Sequence, residues 1–540
     1  MSYRVPLPIN DPVRAYAPET AERQALKDRL AAMSAEKVGI PLVIGGKEIR
    51  TGDVGTQVMP HRHAHVLATW HKAGAKEVEQ AIKAASEARR EWGSWSFEDR
   101  AAVFLRAADL LAATWRETTN AATMLNQSKT AHQSEIDAVC ESIDFLRFNV
   151  HFAEQIYANQ PMNAPGMWNR LDYRPLEGFI YAVTPFNFTS IGTNLPSAPA
   201  IMGNCVIWKP SSLTVYSNYY IFKSFEAAGL PPGVINFVPG NAGAISDVLL
   251  NHPDLGGIHF TGSTEVFQKM WRTVGENIPK YKSYPRLVGE TGGKDFILAH
   301  ASADPDALIT AIIRGGFEYQ GQKCSAASRV YIAENVWKRI KEKLIETTNS
   351  LAIGDVADFR NFMGAVIDRT AFKKLAGYIE DARRSEDAQI IAGGEADGSV
   401  GYFIRPTLIQ VRRPDYRTMC EQLFGPVVTL YVYPEKQWHE ILSIVDTTSP
   451  YGLTGGVFAT DRRAIADAHR ALRFAAGNFY VNDKPTGAVV GQQPFGGSRA
   501  SGTNDKAGSM MNLLRWVSPR TIKENFVPPT DYRYPFMDEP

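Results

Sequence analysis

Short apolar runs alternate with stretches of helical periodicity from about residue 178 onward, and this alternation constrains the fold more than any other feature. The runs are residues 178–184, 206–208, 234–238, 258–261, 296–299, 330–332, 427–433 and 479–481. Runs this short, separated by helices, are typical of buried strands in a parallel sheet. The sequence therefore predicts an α/β protein with two lobes, each built around a mostly parallel sheet.

The residues before this region have a different texture. Residues 1–75 have the pattern of an irregular arm with short strands, including residues 41–49. The spacing of apolar residues predicts three helices, at 78–92, 100–126 and 135–157. A cluster of Pro, Asn and Gly at 159–166 breaks the helical pattern after the third.

Composition excludes several classes of protein. The length of 540 residues suggests two to four domains. Hydrophobic residues at 44% and charged residues at 21% are ordinary for a globular chain, which excludes a disordered, collagen-like or disulfide-dense protein. The net charge is only +1 and there is no long Lys/Arg run, so a nucleic-acid partner is not expected.

Cysteine usage and the N-terminal residues bear on the compartment. The four cysteines lie far apart with no C-x-x-C pair, which favours reduced thiols over a zinc ribbon or a redox pair. The first residues have neither the apolar core of a signal peptide nor the acid-free composition of a transit peptide. No apolar stretch approaches the ~18 residues of a membrane span. We expect a soluble cytoplasmic protein, or a mitochondrial matrix protein if the host is eukaryotic.

Several familiar site motifs are missing. No two of the 43 glycines are separated by a single residue, so the usual G-x-G-x-x-G dinucleotide fingerprint is absent. The segment ETGGKD (290–295) has the wrong spacing for a P-loop, and there is no G-x-S-x-G or H-E-x-x-H. His61, His63, His65 and His71 have the spacing of a shared strand face, but no local Cys or acidic residue accompanies them, so no metal site is predicted.

Three residues are candidates for catalysis. Cys324 lies in a polar, Gly-containing turn beside Lys323 and before small residues that suit the start of a helix, and a cation or a helix N-terminus would raise its thiolate fraction. Glu290 precedes a pair of glycines and suits a general base, while Asn187 follows an apolar run and suits an oxyanion donor. A buried structural cysteine, a solvated strand-end carboxylate and an ordinary turn amide are the alternatives.

Two strand-to-turn segments suit a phosphate or ribose. In HFTGSTE (259–265), Gly262 and Ser263 place free backbone N–H groups at the start of a helix, where a phosphate can dock. In IWKPSS (207–212), Lys209 is able to reach a ribose or a phosphate. Routine strand–helix turns would have the same composition.

Taken together, the ordered segments TPFNF, WKPS, FTGS, E-x-GGK, GQKCS, LFGPV and the tail from Asn482 to Lys506 resemble the aldehyde dehydrogenase superfamily. The resemblance runs from about residue 40 to 525, and the tail is similar to the branch that oxidises L-glutamate γ-semialdehyde, the open form of Δ1-pyrroline-5-carboxylate. It implies two Rossmann-like parallel-sheet domains with a β-hairpin oligomerisation flap. The implied divisions are 1–155 for the arm and the helical part of the NAD-binding domain, 156–177 for the first part of the hairpin, 178–292 for the NAD-binding domain, 293–500 for the catalytic domain, and 501–540 for the return to the flap and the tail.

The resemblance also implies the chemistry and the partners. Cys324 is the implied nucleophile, Asn187 and the Cys324 backbone N–H hold the oxyanion, and Glu290 activates water. The cofactor is NAD, the product is glutamate in the second step of proline catabolism, and functional coupling to a proline dehydrogenase is expected. The implied assembly is a homodimer or an assembly of dimers, with no nucleic-acid or membrane partner.

The resemblance assigns two further sets of residues. The set that binds the substrate comprises Glu141, Phe188, Lys323, Ser325, Gly487, Ala488 and Phe495. The set that binds the cofactor comprises Thr184, Pro185, Phe186, Lys209, Ser211, Ser212, Gly240, Gly262, Ser263, Gln422 and Phe424.

The chain departs from the superfamily pattern at three of its positions. Thr291 replaces a Leu. Gln422 replaces the Glu that holds the nicotinamide ribose, which keeps a hydrogen bond and loses its charge assistance. Ser212 replaces an acid that would repel a 2′-phosphate, and NAD is still the expected cofactor over NADP.

Three other functions stay open on the sequence. A dehydrogenase for another semialdehyde would share most motifs. A cysteine esterase would use Cys324 and Glu290 without a cofactor. A non-catalytic protein on the same fold would need none of Cys324, Glu290 and Asn187.

Overall fold

The computed structural model describes residues 4–538, which form two α/β lobes with separate hydrophobic cores. The strands are β1 Val38–Ile40, β2 Leu42–Ile44, β3 Lys47–Ile49, β4 Val54–Met59, β5 Arg62–His71, β6 Met167–Pro175, β7 Phe179–Val183, β8 Cys205–Lys209, β9 Ile235–Phe237, β10 Leu255–Thr261, β11 Arg286–Glu290, β12 Asp295–Ala299, β13 Ala327–Ala333, β14 Ala388–Ala392, β15 Ala396–Asp397, β16 Phe403–Ile404, β17 Thr407–Val411, β18 Val427–Tyr433, β19 Tyr451–Gly452, β20 Thr454–Phe458, β21 Asn478–Val481, β22 Ser498–Arg499 and β23 Val517–Asn525. The α-helices are α1 Ala21–Ala35, α2 Ala75–Trp92, α3 Phe97–Ala112, α4 Arg116–Gln127, α5 Ala131–Ser134, α6 Glu141–Ala158, α7 Thr189–Ile201, α8 Val215–Ala227, α9 Ala242–Leu249, α10 Thr264–Asn277, α11 Pro305–Phe317, α12 Glu334–Ser350, α13 Arg369–Arg384, α14 Arg417–Cys420, α15 Trp438–Thr447, α16 Arg462–Ala471 and α17 Met510–Leu513.

Each lobe is built on a seven-stranded sheet. The first has the order β11-β10-β7-β8-β9-β2-β3, in which the first five strands are parallel and the short β2 and β3 add an antiparallel edge. The second has the order β14-β17-β18-β13-β12-β20-β21 and is parallel except at β14. The prediction of two lobes on mostly parallel sheets is confirmed.

The chain passes between the sheets through a short link. Strand β11 ends at Glu290 and β12 begins at Asp295. The carboxyl edge of the first sheet therefore meets the amino edge of the second, and both β13 and β20 also begin there, since their first residues pair beside the start of β12. Residues that follow the first set of strands and residues that precede the second set thus share one region.

Some predicted elements are corrected by the structure. The arm at 1–75 contains the 15-residue helix α1 as well as short strands. The helix predicted at 100–126 is two helices, because the backbone leaves the helical region at Ala113. A π-helical turn, Glu135–Cys140, precedes α6 within the third predicted helix. Small residues after Cys324 belong to strand β13, not to a helix.

Strands β6 and β23 form a long antiparallel ribbon outside both sheets. Nine consecutive residue pairs join them, from Val517 with Pro175 to Asn525 with Met167. The chain beyond it exposes large apolar side chains, including Phe526, Val527, Tyr532 and Phe536. Among residues 4–538, no helix is both long and apolar enough to cross a membrane.

Candidate active site

The three catalytic candidates lie where the two sheets meet. Glu290 ends β11, Asn187 follows β7, and Cys324 lies in the turn before β13. The Asn187 side-chain amide donates a hydrogen bond to the carbonyl oxygen of Gln322, at 3.1 Å, which places it beside the Cys324 turn. Glu290 and Cys324 line one cleft. Residues separated by more than a hundred positions therefore form one site.

The backbone before Cys324 is strained. Tyr319 and Gln320 have φ angles of 52° and 56°, and Gly321 follows at 63°. Left-handed conformations at two successive non-glycine residues are costly and persist only where the surroundings hold them. The Gln320 amide supplies that hold, because it donates to the carbonyl oxygens of Ser128 and Ala365 at 2.9 and 2.7 Å. This turn fixes the position of Cys324.

The two glycines after Glu290 allow the linking segment to pass through this crowded region. A Cβ on Gly293 would lie closer than 3.0 Å to the backbone oxygen of Cys324, and a Cβ on Gly292 would collide with the side-chain oxygen of Gln422. Both positions therefore exclude a side chain. The glycine pair thus allows the segment after Glu290 to contact the turn that contains Cys324 and the side chain of Gln422.

The environment of the Cys324 thiol favours its protonated form. Burial raises its pKa above the ordinary value, and the nearby carboxyl groups of Asp295 and Glu290 raise it further. The adjacent Lys323 does not offset this effect, because its ammonium lies 3.3 Å from Asp137 in an ion pair. The small residues after Cys324 lead into strand β13, so among the described residues no helix N-terminus lies at the thiol, and the charge of Lys323 is paired with Asp137.

The environment of Glu290 also favours its protonated form. Burial raises its pKa well above the ordinary value, partly opposed by the backbone N–H of Gly497, which donates to Oε2 at 3.2 Å, and by the charge of Lys506. A Cβ on Gly496 would lie 2.9 Å from the other carboxyl oxygen. A carboxyl group with a raised pKa is a stronger base once ionised, which suits proton abstraction from water.

The predicted substrate-binding residues share the cleft with Cys324. All of Glu141, Phe188, Lys323, Ser325, Gly487, Ala488 and Phe495 line it. Their own contacts orient them: Ser190 donates to Glu141 at 2.6 Å, and the hydroxyls of Ser325 and Thr486 lie 2.8 Å apart. Burial and the charge of Asp137 raise the pKa of Glu141 to about 8.

A buried charge cluster behind Phe188 is absent from the sequence-based predictions. The Lys129 ammonium lies 2.9 Å from Asp137 and within 4.4 Å of the ring centroids of Phe188 and Tyr319. Asp137 thus forms ion pairs with two lysines, Lys129 and Lys323. Lys129 lies two residues after the end of α4, and Asp137 lies on the π-helical turn. Neither residue belongs to a recognisable sequence motif, so only the fold reveals that they pair.

The predicted cofactor-binding residues gather along the carboxyl edge of the first sheet. Thr184, Lys209, Gly240 and Gly262 follow or end four adjacent strands, β7, β8, β9 and β10. Crevices at this edge of parallel sheets are where such folds bind nucleotides. Burial lowers the pKa of Lys209 to about 8, and among residues 4–538 no ion pair includes it. Its side chain therefore has hydrogen-bonding capacity left for a ligand.

The remaining cofactor candidates lie around this edge. Pro185 and Phe186 continue from Thr184, and the Phe186 ring packs edge-on against Phe424 with centroids 5.5 Å apart. The Ser212 hydroxyl donates to the Gly240 carbonyl at 3.5 Å, and the neighbouring Ser211 hydroxyl accepts from a backbone N–H at 3.3 Å. Ser263 caps helix α10, accepting from Val266 at 3.4 Å.

The alternating histidines make hydrogen bonds within the protein. His63 and His65 contact the carbonyl oxygens of Gly398 and Ser34 at 3.0 and 2.9 Å, and His61 contacts the Ser128 hydroxyl at 3.2 Å. Across the part of the chain that the structure describes, no three His, Cys, Asp or Glu side chains are grouped to hold a metal ion. The histidines of this strand therefore tie it to neighbouring segments.

The chain is similar to known proteins over most of its length. A model of the aldehyde dehydrogenase family matches residues 50–522. The mitochondrial delta-1-pyrroline-5-carboxylate dehydrogenase of Dictyostelium discoideum is 52% identical over 99% of this chain and 97% of its own. A crystal structure of the corresponding Mycobacterium tuberculosis enzyme bound with NAD superposes with a TM-score of 0.97 at 55% identity, covering 100% of both chains. Proline utilization A from Bdellovibrio bacteriovorus matches 96% of this chain with 54% of its own, at 29% identity and a TM-score of 0.91.

Proposed function

The chain belongs to the aldehyde dehydrogenase family, and from that premise we propose that it oxidises L-glutamate γ-semialdehyde to L-glutamate with NAD. The observation that carries the proposal is the single cleft that joins Cys324 and Glu290 to groups suited to an amino acid. The α-carboxylate of an amino acid needs hydrogen-bond donors, and its ammonium needs an acidic side chain. The cleft lining supplies hydrogen-bond donors and an acidic side chain, and the rest of the lining is mostly apolar.

Catalysis begins at Cys324. Its thiol gives its proton to solvent, the sulfur bonds to the aldehyde carbon, and the electron pair of the C=O π bond moves to the oxygen, which becomes an oxyanion. Asn187 uses one amide N–H on Gln322, and its second N–H, with the Cys324 backbone N–H, stabilises that oxyanion. When bound, NAD supplies the acceptor for the hydride that leaves the same carbon. The remaining thioester is hydrolysed by water that gives its proton to Glu290, which restores the thiolate as glutamate departs.

Substrate recognition follows from the lining. The Ser325 hydroxyl and the backbone N–H groups of Gly487 and Ala488 hold the α-carboxylate, and Glu141 faces the ammonium. Phe188 and Phe495 enclose the methylene chain, and Lys323 stands beside the nucleophile. An aldehyde without the amino acid group loses the first set of contacts and keeps the aromatic ones.

The carboxyl edge of the first sheet fits a dinucleotide. Lys209 is a buried cation with no ion-pair partner among the described residues, and the N-terminus of α10 offers N–H groups to a phosphate. Gln422, whose side chain lies beside Gly292, would hold the nicotinamide ribose. Ser211 and Ser212 would hold the adenosine ribose, and the packed pair Phe186 and Phe424 would bind the nicotinamide.

The ribbon of β6 and β23 supports a proposal about assembly. Its exposed neighbours Phe526, Val527 and Trp168 are apolar, and large exposed apolar surfaces mark association sites. We assign to this ribbon the contact of a homodimer, or of an assembly of dimers. The enzyme works in the cytoplasm, or in the matrix of a eukaryotic host, and a proline-oxidising enzyme supplies its substrate.

The test measures NADH formation from Δ1-pyrroline-5-carboxylate. Wild type turns over with NAD, Cys324→Ala shows no turnover, and Cys420→Ala, which removes a different partly exposed thiol, keeps wild-type rates. Activity on simple aldehydes alone would transfer the proposal to another substrate. Ester hydrolysis without NAD at a comparable rate would favour the cysteine esterase.

A further inference from the structure

The N-terminal arm reaches the substrate cleft through one residue, Asn10. Its side-chain amide donates to the carbonyl oxygen of Val490 at 2.8 Å and to the Asp144 carboxylate at 2.8 Å. Its amide oxygen accepts a hydrogen bond from Gln492 at 3.0 Å. Both amide hydrogens and the oxygen are therefore used, and they join the loop at 487–493 to helix α6.

The loop that Asn10 holds carries two of the groups assigned to the substrate carboxylate. Gly487 and Ala488 open it, and Val490 and Gln493 line the same cleft as Cys324. Backbone N–H groups on a loop bind a carboxylate well only when the loop has one conformation, because a donor that moves is not held at hydrogen-bond distance from the carboxylate oxygens. Outside the arm, the loop meets α6 closely at Gly491, where a Cβ would collide with the Phe148 ring.

The arm itself is firmly anchored at the next residue. The backbone N–H of Asp11 donates to Asp144 at 2.8 Å. The buried Asp11 carboxylate accepts from Arg116 at 2.6 Å and from Arg147 at 3.1 Å. Asp144 lies one helical turn from Glu141, so the same helix carries the ammonium-binding acid and the anchor of the arm.

We propose that Asn10 is a positioning residue that sets the geometry between the carboxylate-binding loop and helix α6, and so determines the preference for an amino-acid aldehyde over a simple one. This rests on the proposed function. Asn10 lies almost five hundred positions from Gln492 in the chain and touches neither substrate nor cofactor in this assignment. Its effect reaches the substrate through the loop and through Asp144 on helix α6.

The test compares two aldehydes in the same variants. Asn10→Ala removes both hydrogen bonds to the loop, each worth about 1 kcal/mol, so the KM for glutamate semialdehyde rises about 30-fold. With propionaldehyde, which has no carboxylate, kcat/KM changes less than about twofold, since the loop contributes nothing to it. Leu7→Ala, an exposed change on the same arm, leaves both substrates at wild-type values.

A milder variant protects the test from a folding defect. Gln492→Ala removes one of these bonds from a more exposed side chain and raises the semialdehyde KM by a smaller factor, and the double variant shows less than the sum of the two effects. Equal losses on both aldehydes, or an unchanged semialdehyde KM in Asn10→Ala, would overturn the inference. Wild type inactive on the semialdehyde would instead refute the proposed function.

Discussion

Gly293→Ala tests whether the segment after Glu290 positions the nucleophile by contact. A Cβ there would lie closer than 3.0 Å to the Cys324 backbone oxygen and 3.0 Å from the carboxyl carbon of Asp295. Carbon and oxygen ordinarily approach to about 3.3 Å, so the Cys324 turn must shift by roughly 1 Å. The neighbouring left-handed turn is held by Gln320, so it cannot absorb the shift freely.

A shift of that size has a large catalytic effect and a moderate effect on stability. Misplacing a reacting group by about 1 Å costs about 100-fold in rate, so kcat for the semialdehyde falls by about that factor. Overpacking of a buried site lowers the free energy of unfolding by about 1–3 kcal/mol. Steady-state kinetics and thermal melting followed by circular dichroism measure the two effects separately.

The matched control is Gly377→Ala. This glycine lies in the interior of helix α13, and a Cβ there meets nothing within 4 Å. The same substitution keeps wild-type kcat and raises the free energy of unfolding by about 1 kcal/mol, because alanine favours a helix. Wild-type kcat in a folded Gly293→Ala enzyme would refute the reasoning, since the contact would then not position Cys324.

Three further predictions concern charge. Glu290→Gln lowers kcat at least about 100-fold. Because the pKa of Glu290 is raised in the folded protein, ionisation of this carboxyl destabilises the wild type as the pH rises above about 4.5. The variant therefore has a higher Tm than the wild type at pH 8 and the same Tm at pH 4, and equal Tm values at both would contradict the raised pKa. Gln422→Glu lowers the KM for NAD about fivefold, since a charged acceptor strengthens a ribose hydrogen bond, and an unchanged KM would remove Gln422 from the cofactor site. Burial lowers the pKa of Lys209 to about 8, so the wild type loses affinity for NAD as the pH rises through 8, whereas Lys209→Met binds NAD about tenfold more weakly than wild type at pH 7 and its affinity does not change with pH. Titration of protein fluorescence with NAD measures the affinity of each protein. The same pH dependence in the wild type and in Lys209→Met would contradict the role of Lys209.

The longest apolar runs predict strands most closely: the runs at 178–184 and 427–433 match β7 and β18. The predicted runs do not include β17 or β20. In β20, Gly455 lies where the Phe296 ring on β12 fills the space that a side chain would need. Such a strand is specified by its neighbour, which no local pattern shows.

For the catalytic candidates, too, the sequence predicts the residues themselves and not their surroundings. Cys324, Glu290 and Asn187 belong to motifs, and the ordered resemblance to the family is confirmed by the match over residues 50–522. The environment of Cys324 could not be predicted in the same way. Lys323 is next to it in the chain, yet its charge is directed to Asp137, almost two hundred positions earlier. The position of Lys323 next to Cys324 in the sequence therefore predicts an activating cation, whereas in the fold this cation forms an ion pair with Asp137.

The ribbon of β6 and β23 has a consequence for synthesis of the chain. Arg174 meets Ser518, 344 residues later, so at about 5–20 residues per second β6 waits roughly 20–70 s on the ribosome for its partner. An unpaired strand edge invites pairing with other chains, and charges along it discourage that. Arg170, Asp172 and Arg174 stand on β6 and make ion pairs or hydrogen bonds with β23 in the finished ribbon. The same side chains that close the ribbon thus protect the newly made strand from other nascent chains until its partner arrives.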